Sequence, residues 1–457
     1  MQLSVFGISG LRGIVGQELT PEVVTHVAAA FGALVGPGTV VIGRDARPSG
    51  AMLIAATAAG LASVGRNVEL LGICPTPTVL HYTRQKERTA AIVVTASHNP
   101  EEWNGMKFVG AGGRFLAPAE LARFRQFVES GTFTRAVWRE VGQMTDCPEA
   151  VEDHVRSVVE HDIFARGRPW LADRKLRVGV DAVNGAAAVA AVRLVRAFGC
   201  EPVPVFCDLS TEALASGFPR RPEPTAANLS ELRRVVRTNK LDLGIAFDPD
   251  GDRTSCVDET GFALGEEATI CLACEYVLLH RKGPVVVNLS TTRGVEDICA
   301  NHRVQVLRSP VGEASVVERM VEVNAVLGGE GNGGVILPEV NFTRDGLVAT
   351  ATVLGLVAAT GKPLSVLRRE LPSYQVAKTT TPLSREQYEA RRSRLLAAFE
   401  DCRVDERDGL KFDGPDYWVH VRPSNTEPLV RIIVEARDPD ALDRLIARAR
   451  AALTERS

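Results

Sequence analysis

The feature that most constrains the fold is a repeated order of a short apolar run, a polar or glycine-rich turn, and a segment with helical spacing. The apolar runs are rich in β-branched residues, which is typical of strands in βαβ units and mainly parallel sheets. Five such junctions are Val40–Asp45, Ala91–His98, Val178–Gly185, Leu243–Asp248 and Val285–Ser290. Because parallel sheets bind ligands at the carboxyl ends of their strands, these junctions predict where a ligand site lies.

The chain divides into four predicted domains, three of them α/β and the last α+β. A stretch rich in glycine, proline and charge, Gly131–Glu149, separates the first domain from the second, and the run after Gly261 begins the third. In the last domain we predict a helix over Ser384–Phe399, a strand at Val430–Val434 and a closing helix capped by Asp438. The predicted bounds are 1–140, 150–255, 256–370 and 375–457.

Composition argues against two classes of partner. The net charge of -3 lacks the basic excess of nucleic-acid binders, so we expect no nucleic-acid partner. The apolar stretch Leu53–Val64 is shorter than the ~18 residues that a membrane span needs, and the first residues show no signal-peptide pattern. We therefore expect a cytoplasmic protein with no membrane partner.

The nine cysteines are scattered and odd in number, which fits free thiols in a reducing compartment. Cys271 and Cys274 form a C-x-x-C pair, but a zinc site would need a second ligand pair, and none is evident. Their apolar neighbours are typical of a buried helix. The sequence thus favours packing over zinc binding at this pair.

The sharpest local signal is Asp248-Pro249-Asp250-Gly251-Asp252-Arg253, directly after an apolar run. Side chains at i, i+2 and i+4 of an extended loop point the same way, so the three carboxylates would repel one another unless a cation relieved them. All-oxygen ligands favour Mg²⁺ or Ca²⁺ over zinc. An acidic surface turn is the plain alternative, and an EF-hand would need glycine where Arg253 stands. We predict a metal loop with Asp248, Asp250 and Asp252 as ligands.

A serine follows another predicted strand, in Thr95-Ala96-Ser97-His98-Asn99-Pro100. Taken alone, Ser97 could be an ordinary turn serine, and the G-x-S-x-G elbow of many hydrolases is absent. Beside a metal loop, a serine that carries phosphate is favoured, because it supplies a further oxygen to the metal, and His98 can stabilise negative charge near it. Lys107, ten residues further on, could reach the same place and act as a base or an acid.

Two more loops suit a phosphorylated sugar. Gly328–Gly334 lacks the G-K-[ST] ending of a P-loop, but Glu330 and Asn332 within it can bond neighbouring hydroxyls; an ordinary glycine-rich turn is the alternative. The second loop is Arg422–Pro428, with Arg431 shortly after it. It suits a phosphate, because arginine binds phosphate with two parallel hydrogen bonds; a polar β-turn is the alternative. Its candidate binding residues are Arg422, Ser424, Asn425, Thr426 and Arg431.

In this order the loops resemble those of the α-D-phosphohexomutase superfamily, over essentially the whole chain. Phe6–Gly13 is similar to its N-terminal signature, and the loops above are similar to its phosphoserine, metal, sugar and phosphate loops in domains I to IV. The resemblance implies an α/β fold in which three similar mixed α/β domains and a C-terminal α+β domain surround a central active-site cleft. It implies Ser97 as phosphate carrier and metal ligand, the three aspartates as magnesium ligands, and Arg12, Lys107 and Arg253 near the transferring phosphate.

The sugar loop departs from many relatives that act on glucose or mannose phosphates. Those end it in Ser-Gly-His, where this chain has Asn332-Gly333-Gly334. This form, with Arg344-Asp345-Gly346 downstream, resembles archaeal-type phosphoglucosamine mutases most, which implies glucosamine 6-phosphate as substrate. A smaller, less basic loop would also keep an imidazolium away from a 2-ammonium group. Mannose and glucose phosphates remain the alternative, since relatives with this loop form include enzymes named for them.

The resemblance implies one Mg²⁺ per chain, a phosphate carried covalently on Ser97, and a hexose bisphosphate as activator. The expected partner is a hexose phosphate, and the expected assembly is a monomer or homodimer. A metal-dependent phosphatase using the same serine would release inorganic phosphate steadily. A phosphosugar-binding sensor without turnover would keep the phosphate loop and lose Ser97 or the aspartates, and all of these are present.

Overall fold

The structure is a computed structural model that describes residues 6–7, 10–424 and 428–454. The chain forms two compact units. The first comprises Met1–Arg281 and Asn332–Arg368, and the second comprises Lys282–Gly331 and Arg369–Ser457.

The first unit begins with an eight-stranded mixed sheet among the described residues, in the order β1-β2-β6-β5-β3-β4-β8, with β7 paired to β6. Strands β3, β4, β5 and β8 run parallel, whereas β6 is antiparallel to β5 and β2. The strands are β1 Phe6–Gly7, β2 Gly10–Ile14, β3 Thr39–Arg44, β4 Asn67–Ile73, β5 Ala90–Val94, β6 Trp103–Gly110, β7 Arg114–Phe115 and β8 Met144–Asp146. The helices of this region are α1 Pro21–Val35, α2 Gly50–Ala62, α3 Thr76–Gln85 and α4 Pro118–Ser130.

A cluster of four phenylalanines packs beneath this sheet. Phe108 stacks on Phe6 with ring centroids 5.9 Å apart and meets the edge of Phe124 at 4.7 Å, and Phe31 completes the group. All four side chains are buried. Because β6 carries both Phe108 and Lys107 on opposite faces, this core fixes the strand that presents the lysine.

A second sheet follows in the same unit, in the order β10-β9-β11-β12. Its three leading strands are parallel, and β12 returns antiparallel to β11. The strands are β9 Arg177–Asp181, β10 Glu201–Val205, β11 Leu243–Phe247 and β12 Thr254–Asp258. The helices around it are α5 Ala150–Glu160, α6 Asp162–Ala165, α7 Arg168–Arg174, α8 Ala187–Ala197, α9 Thr211–Ala215 and α10 Ser230–Asn239, with a 3₁₀ turn at Ala226–Asn228. The segment Asp248–Arg253, called the acidic loop below, is the turn that joins β11 to β12.

The remaining elements divide between the units. The first unit also contains α11 Glu266–His280, β16 Gly334–Ile336, α14 Gly346–Thr360 and α15 Leu364–Glu370, the last of which extends two residues past its boundary. In the second unit, β13 lies between the parallel strands β14 and β15. This group consists of β13 Val285–Asn288, α12 Gly294–Asn301, β14 Val306–Ser309, α13 Glu313–Val323 and β15 Leu327–Glu330.

The second unit ends in a five-stranded antiparallel sheet, ordered β17-β21-β20-β19-β18. Two helices pack on it around the buried side chains of Leu395, Phe412 and Leu445. Its elements are β17 Gln375–Pro382, α16 Arg385–Ala398, β18 Arg403–Asp405, β19 Leu410–Asp413, β20 Tyr417–Pro423, β21 Leu429–Ala436 and α17 Pro439–Thr454.

The structure confirms most of the predicted elements. Ser384 caps α16, where its hydroxyl accepts a hydrogen bond from the Gln387 amide, and the predicted strand and closing helix are β21 and α17. Cys271 and Cys274 are buried in α11. The stretch Gly131–Glu149 is not wholly a connection, however, because it contains β8, which pairs parallel with β4. A three-residue edge strand with exposed side chains has no alternation that would reveal it. The four domain bounds stay a prediction.

No single helix in the described part of the chain is long and apolar enough to cross a membrane. The helices α14 and α15 are long and apolar enough to cross a membrane only if they are counted as one segment, and they meet at a bend of 93°.

Candidate active site

Ser97 lies in the loop between β5 and β6 and is only 2% exposed. Its φ of 52° is in the left-handed region, which a residue with a side chain enters only when its surroundings impose it. The Thr95 hydroxyl accepts a hydrogen bond from the Ser97 amide at 2.9 Å and donates one to Asp45 at 2.6 Å. The Ser97 Oγ is 3.3 Å from Nδ1 of His98. The serine that the sequence singled out is therefore held in a constrained turn at the end of a strand.

Arg47 fixes the shape of this loop, and sequence reasoning missed it. Its Nη2 donates to the carbonyl oxygens of Ser97 and Asn99 at 2.7 and 2.6 Å, and its Nη1 donates to those of Pro100 and Trp103. Its Nε donates to the Asp45 carboxylate at 3.1 Å. All five N–H groups of the guanidinium are thus used. The polar residues after Ile42 were the only signal that could have pointed to it.

The three aspartates of the acidic loop come together, as the sequence predicted. Asp248, Asp250 and Asp252 are completely buried, and each places an oxygen within 4.8 Å of the others. The loop turns at Gly251, which has a φ of 70° that favours glycine. Burial of three carboxylates so close together is costly unless cationic or hydrogen-bonding groups compensate for it.

Each carboxylate has one oxygen held by a neighbouring donor. The Arg253 amide donates to Oδ1 of Asp248 at 3.2 Å, and Arg344 donates to Oδ2 of Asp252. Lys107 Nζ and the Thr76 hydroxyl donate to Oδ2 of Asp250, at 2.7 and 2.9 Å. The opposite oxygens, Asp248 Oδ2, Asp250 Oδ1 and Asp252 Oδ1, have no hydrogen-bond partner within the described residues.

This pattern fits a divalent cation with oxygen ligands. The three unpartnered oxygens are buried and mutually close, and the donors on their opposite sides orient the carboxylates as outer-shell groups do around a metal. Burial, then the charges of Asp252 and Asp250, raise the pKa of Asp248 well above its usual value. Burial also opposes ionisation of Asp250, but the Lys107 charge and hydrogen bond outweigh it and hold the pKa of Asp250 low. A positive charge bound beside the loop would therefore favour the ionised form of Asp248.

The predicted basic residues surround the same loops. The Arg253 guanidinium lies 3.8 Å from Asp248 and 3.4 Å from Glu223, which in turn is 3.5 Å from Nε2 of His98. Arg12 donates to the side chain of Asn99 at 2.9 Å. Burial, followed by the Arg253 and Arg12 charges, lowers the pKa of His98. The serine loop and the acidic loop are thus linked through Glu223, a residue that no sequence motif indicated.

In the second unit, Glu330 ends β15 and is almost fully buried. Its Oε1 accepts hydrogen bonds from the Asn288 side chain at 2.7 Å and from the Gly312 amide at 3.2 Å. Asn288 belongs to a polar junction noted in the sequence, although no role was assigned to it. Asn332 belongs to the first unit, where its Oδ1 accepts from the Gly334 amide at 3.2 Å.

The two arginines of the predicted phosphate loop lie opposite each other. Arg422 on β20 pairs in register with Arg431 on β21, so their side chains leave the same face of the sheet. The Arg422 Nε lies 3.2 Å from the Asp408 carboxylate. Facing like charges suit an anionic ligand, because an anion would offset their repulsion. Ser424 lies between them in the sequence and donates its amide N–H to the Leu429 carbonyl oxygen, whereas Asn425 and Thr426 lie outside the described residues.

The fold and these loops define a class of enzyme. Models of the phosphoglucomutase/phosphomannomutase family match the α/β/α domains I, II and III at residues 3–135, 153–261 and 266–374, and the C-terminal domain at 386–452. The chain therefore belongs to the phosphoglucomutase/phosphomannomutase family, and it is an isomerase of the phosphohexomutase class.

Within the family, the chain is similar to curated proteins of archaea. It is 36% identical to a "Probable phosphoglucosamine mutase" of Methanopyrus kandleri, over 95% of this chain and 94% of that one. It is 34% identical to a "Phosphoglucomutase/phosphomannomutase" of Thermococcus kodakarensis, over 95% of each. A crystal structure of a phosphoglucomutase/phosphomannomutase family protein from Burkholderia thailandensis superimposes with a TM-score of 0.85 at 28% identity, covering 99% of this chain and 97% of that one.

Proposed function

We propose that the enzyme converts glucosamine 6-phosphate to glucosamine 1-phosphate through a phosphorylated Ser97 and a hexose bisphosphate. Two observations support this substrate: the loop form Asn332-Gly333-Gly334, and the similarity to proteins named phosphoglucosamine mutase. The charge of the sugar loop does not add support, because the Arg344 side chain packs against Gly334. The preference therefore rests on resemblance rather than on local charge.

The observation that carries the chemistry is the set of three buried carboxylate oxygens that accept no hydrogen bond from the described residues, although two of them lie 3.7–3.8 Å from the Arg253 guanidinium. Asp248, Asp250 and Asp252 would hold one Mg²⁺, with an oxygen on Ser97 as a further ligand. Bound there, the ion would offset charge on the transferring phosphoryl group, which is the main requirement of phosphoryl transfer. Lys107, Thr76, Arg253 and Arg344 orient the carboxylates before the ion arrives.

The proposed transfer exchanges one bond to phosphorus for another. The bond between phosphorus and the Ser97 oxygen breaks as a bond from phosphorus to the free sugar hydroxyl oxygen forms. The Lys107 ammonium donates a proton to the departing Ser97 oxygen and takes up the hydroxyl proton, so that it keeps its charge. The bisphosphate then reorients, and Ser97 takes back the other phosphoryl group by the same steps in reverse. Arg12, His98 and Arg253 stabilise negative charge near Ser97, a role that their contacts around the serine loop support.

The remaining candidate residues would bind the substrate. Glu330 and Asn332 would bond hydroxyls near the middle of the sugar ring, which the turnover of the bisphosphate nearly exchanges. The phosphate that does not react would be held by Arg422, Ser424, Asn425, Thr426 and Arg431. The facing arginines support this role.

Mannose or glucose phosphate is the alternative substrate, and one observation favours it. The Thermococcus kodakarensis relative carries the phosphoglucomutase/phosphomannomutase name at 34% identity, close to the 36% of the Methanopyrus protein. The two assignments share every proposed catalytic residue, so they differ only in the sugar.

A substrate panel tests the proposal. Glucosamine, glucose, mannose and N-acetylglucosamine 6-phosphates are each assayed with Mg²⁺ and a catalytic amount of the matching 1,6-bisphosphate, with Ser97→Ala as the control. We expect 1-phosphate products without steady release of inorganic phosphate. Steady release would indicate a phosphatase, and binding without any product would indicate a sensor; either outcome contradicts the mutase mechanism.

A further inference from the structure

Arg344 stands outside the set of residues that the sequence assigned to the site, yet it contacts a proposed metal ligand. It is 8% exposed and donates from Nη2 to Oδ2 of Asp252, whose side chain is completely buried. Its charge also acts on Arg253 and His98. Because Arg344 bonds Oδ2 of Asp252, the Oδ1 oxygen has no hydrogen bond and lies within 4.8 Å of an oxygen of Asp248 and of Asp250.

Gly334 lies in contact with the same arginine. Its backbone lacks the positive φ that favours glycine, so an alanine could adopt its conformation. A Cβ at this position would, however, overlap the Cδ of Arg344 and lie 2.7 Å from its Cγ. Since the guanidinium end is bonded to Asp252, the middle of the chain cannot move aside without disturbing that bond. Glycine is needed at 334 because Arg344 fills the space.

We infer that Arg344 is a positioning residue that orients Asp252 for Mg²⁺, and that Gly334 makes room for it. At position 334, the space that the Cβ of any side chain would occupy is taken by the methylene groups of Arg344. The two positions therefore act as one unit. This inference rests on the proposed function of the acidic loop, and it adds to that loop a residue on which its affinity depends.

Direct binding of Mg²⁺ to the metal-free full chain, measured by isothermal titration calorimetry, tests the inference without any turnover. We expect Arg344→Met to weaken Mg²⁺ binding by about 10- to 100-fold, the range found for outer-shell partners of metal ligands. Arg344→Lys retains the charge with fewer donors, so its Mg²⁺ affinity should lie between those of the wild type and Arg344→Met. The matched control is Arg368→Met, which removes an arginine from buried Asp258 at 3.2 Å and should bind Mg²⁺ as the wild type does.

A double-substitution cycle separates positioning from folding. Gly334→Ala alone should weaken Mg²⁺ binding because it displaces Arg344, but in an Arg344→Ala background it should have no further effect. The loss of kcat/KM in Arg344→Met should be partly recovered at high Mg²⁺, which a general loss of folding would not allow. Thermal unfolding of each metal-free variant shows which ones remain folded. If Arg344→Met does not fold, the Mg²⁺ affinity of Gly334→Ala tests the inference in its place.

The outcomes distinguish this inference from the proposed function. A wild-type enzyme that binds Mg²⁺ and turns over, with an Arg344→Met variant of equal Mg²⁺ affinity, would overturn the inference alone. Equal effects of Gly334→Ala in both backgrounds would also overturn it. A wild-type chain that binds no Mg²⁺ would overturn the metal loop and the inference together.

Discussion

The Lys107 ammonium lies 2.7 Å from Oδ2 of Asp250, and both side chains are buried. Lys107 belongs to β6 of the first sheet and Asp250 to the turn after β11 of the second, so one ion pair connects the two sheets of the first unit. Removal of either partner would leave an uncompensated charge in the interior, which is strongly destabilising. The pair thus contributes to the structure of the first unit as well as to the proposed chemistry.

Asp250→Asn should weaken Mg²⁺ binding and lower turnover strongly, because one anionic ligand becomes neutral while Lys107 keeps its charge. Activity as a function of Mg²⁺ concentration measures the effect. The control is Asp153→Asn, which changes a half-buried carboxylate in ion pairs with Lys86 and Arg156 and should behave as wild type. Full activity of Asp250→Asn at low Mg²⁺ would remove the acidic loop from the mechanism.

Ser97 should carry phosphate after incubation with a hexose 1,6-bisphosphate. Peptide mass spectrometry of the Ser97 peptide measures this, and Ser97→Ala should lose both the phosphate and the activity. Replacement of Ser157, a half-buried serine of α5, with alanine serves as the control. An unmodified Ser97 peptide together with a fully active Ser97→Ala variant would contradict the phosphoserine mechanism.

Arg47→Lys should destabilise the protein and reduce kcat. A lysine offers at most three donors where the arginine uses five, so at least two of the five acceptors would lose a partner, at about 1–3 kcal/mol for each one that is buried. Urea unfolding and initial rates measure the two effects. Arg125→Lys, in an exposed pair with Glu129, should change neither. Unaltered stability of Arg47→Lys would show that the loop does not depend on these bonds.

Asp345 should contribute to stability in a pH-dependent way. It caps α14 through the amides of Leu347 and Val348 and lies 2.9 Å from Nε2 of the buried His154. Burial would raise the pKa of Asp345, but the His154 charge and the hydrogen bonds lower it below the ordinary value of 3.8. A lowered carboxyl pKa gives stability that is present above pH 3.8 and is lost as the pH falls through the folded-state pKa.

Comparison of two variants separates the cap from the charge. Asp345→Ala should cost about 0.5–2 kcal/mol for the cap and more for the His154 contact, whereas Asp345→Asn can still cap the helix and should cost less. Urea unfolding between pH 3 and pH 8 measures both. The deficit of Asp345→Asn relative to wild type should narrow below about pH 4. A deficit that does not change with pH would show that the charge is irrelevant.

The substrate prediction is that glucosamine 6-phosphate gives a higher kcat/KM than mannose or glucose 6-phosphate. Initial rates across the panel measure it. A preference of tenfold or more for mannose or glucose phosphate, on the order of 1.4 kcal/mol of transition-state discrimination, would reject the glucosamine assignment. It would leave the membership of the family and the roles of Ser97 and the aspartates untouched.

The sequence predicted the parts of the site that are contiguous. Asp248, Asp250 and Asp252 are alternate residues of one turn, and Ser97 lies three residues after the end of β5, so local spacing suffices to place them. The α/β class also follows from local patterns, since buried parallel strands are short β-branched runs. The family models and the sheets confirm that class.

The parts that the sequence did not predict depend on contacts between distant residues. Arg47 acts on Ser97 from 50 positions away, and Arg344 acts on Asp252 from 92 positions away. Each is an ordinary arginine in its own neighbourhood, so no periodicity or motif reveals its partner. For the same reason, nothing in the sequence indicated that Arg344, which comes from beyond β16, lies beside Gly334 of the sugar loop.

Arg47 binds the loop that carries Ser97 only through main-chain carbonyl oxygens, those of residues 97, 99, 100 and 103. Every amino acid has that oxygen, so these bonds do not depend on which side chains stand at positions 99, 100 and 103. Mutational drift can change those side chains without removing the bonds that hold the main chain around the phosphate-carrying serine.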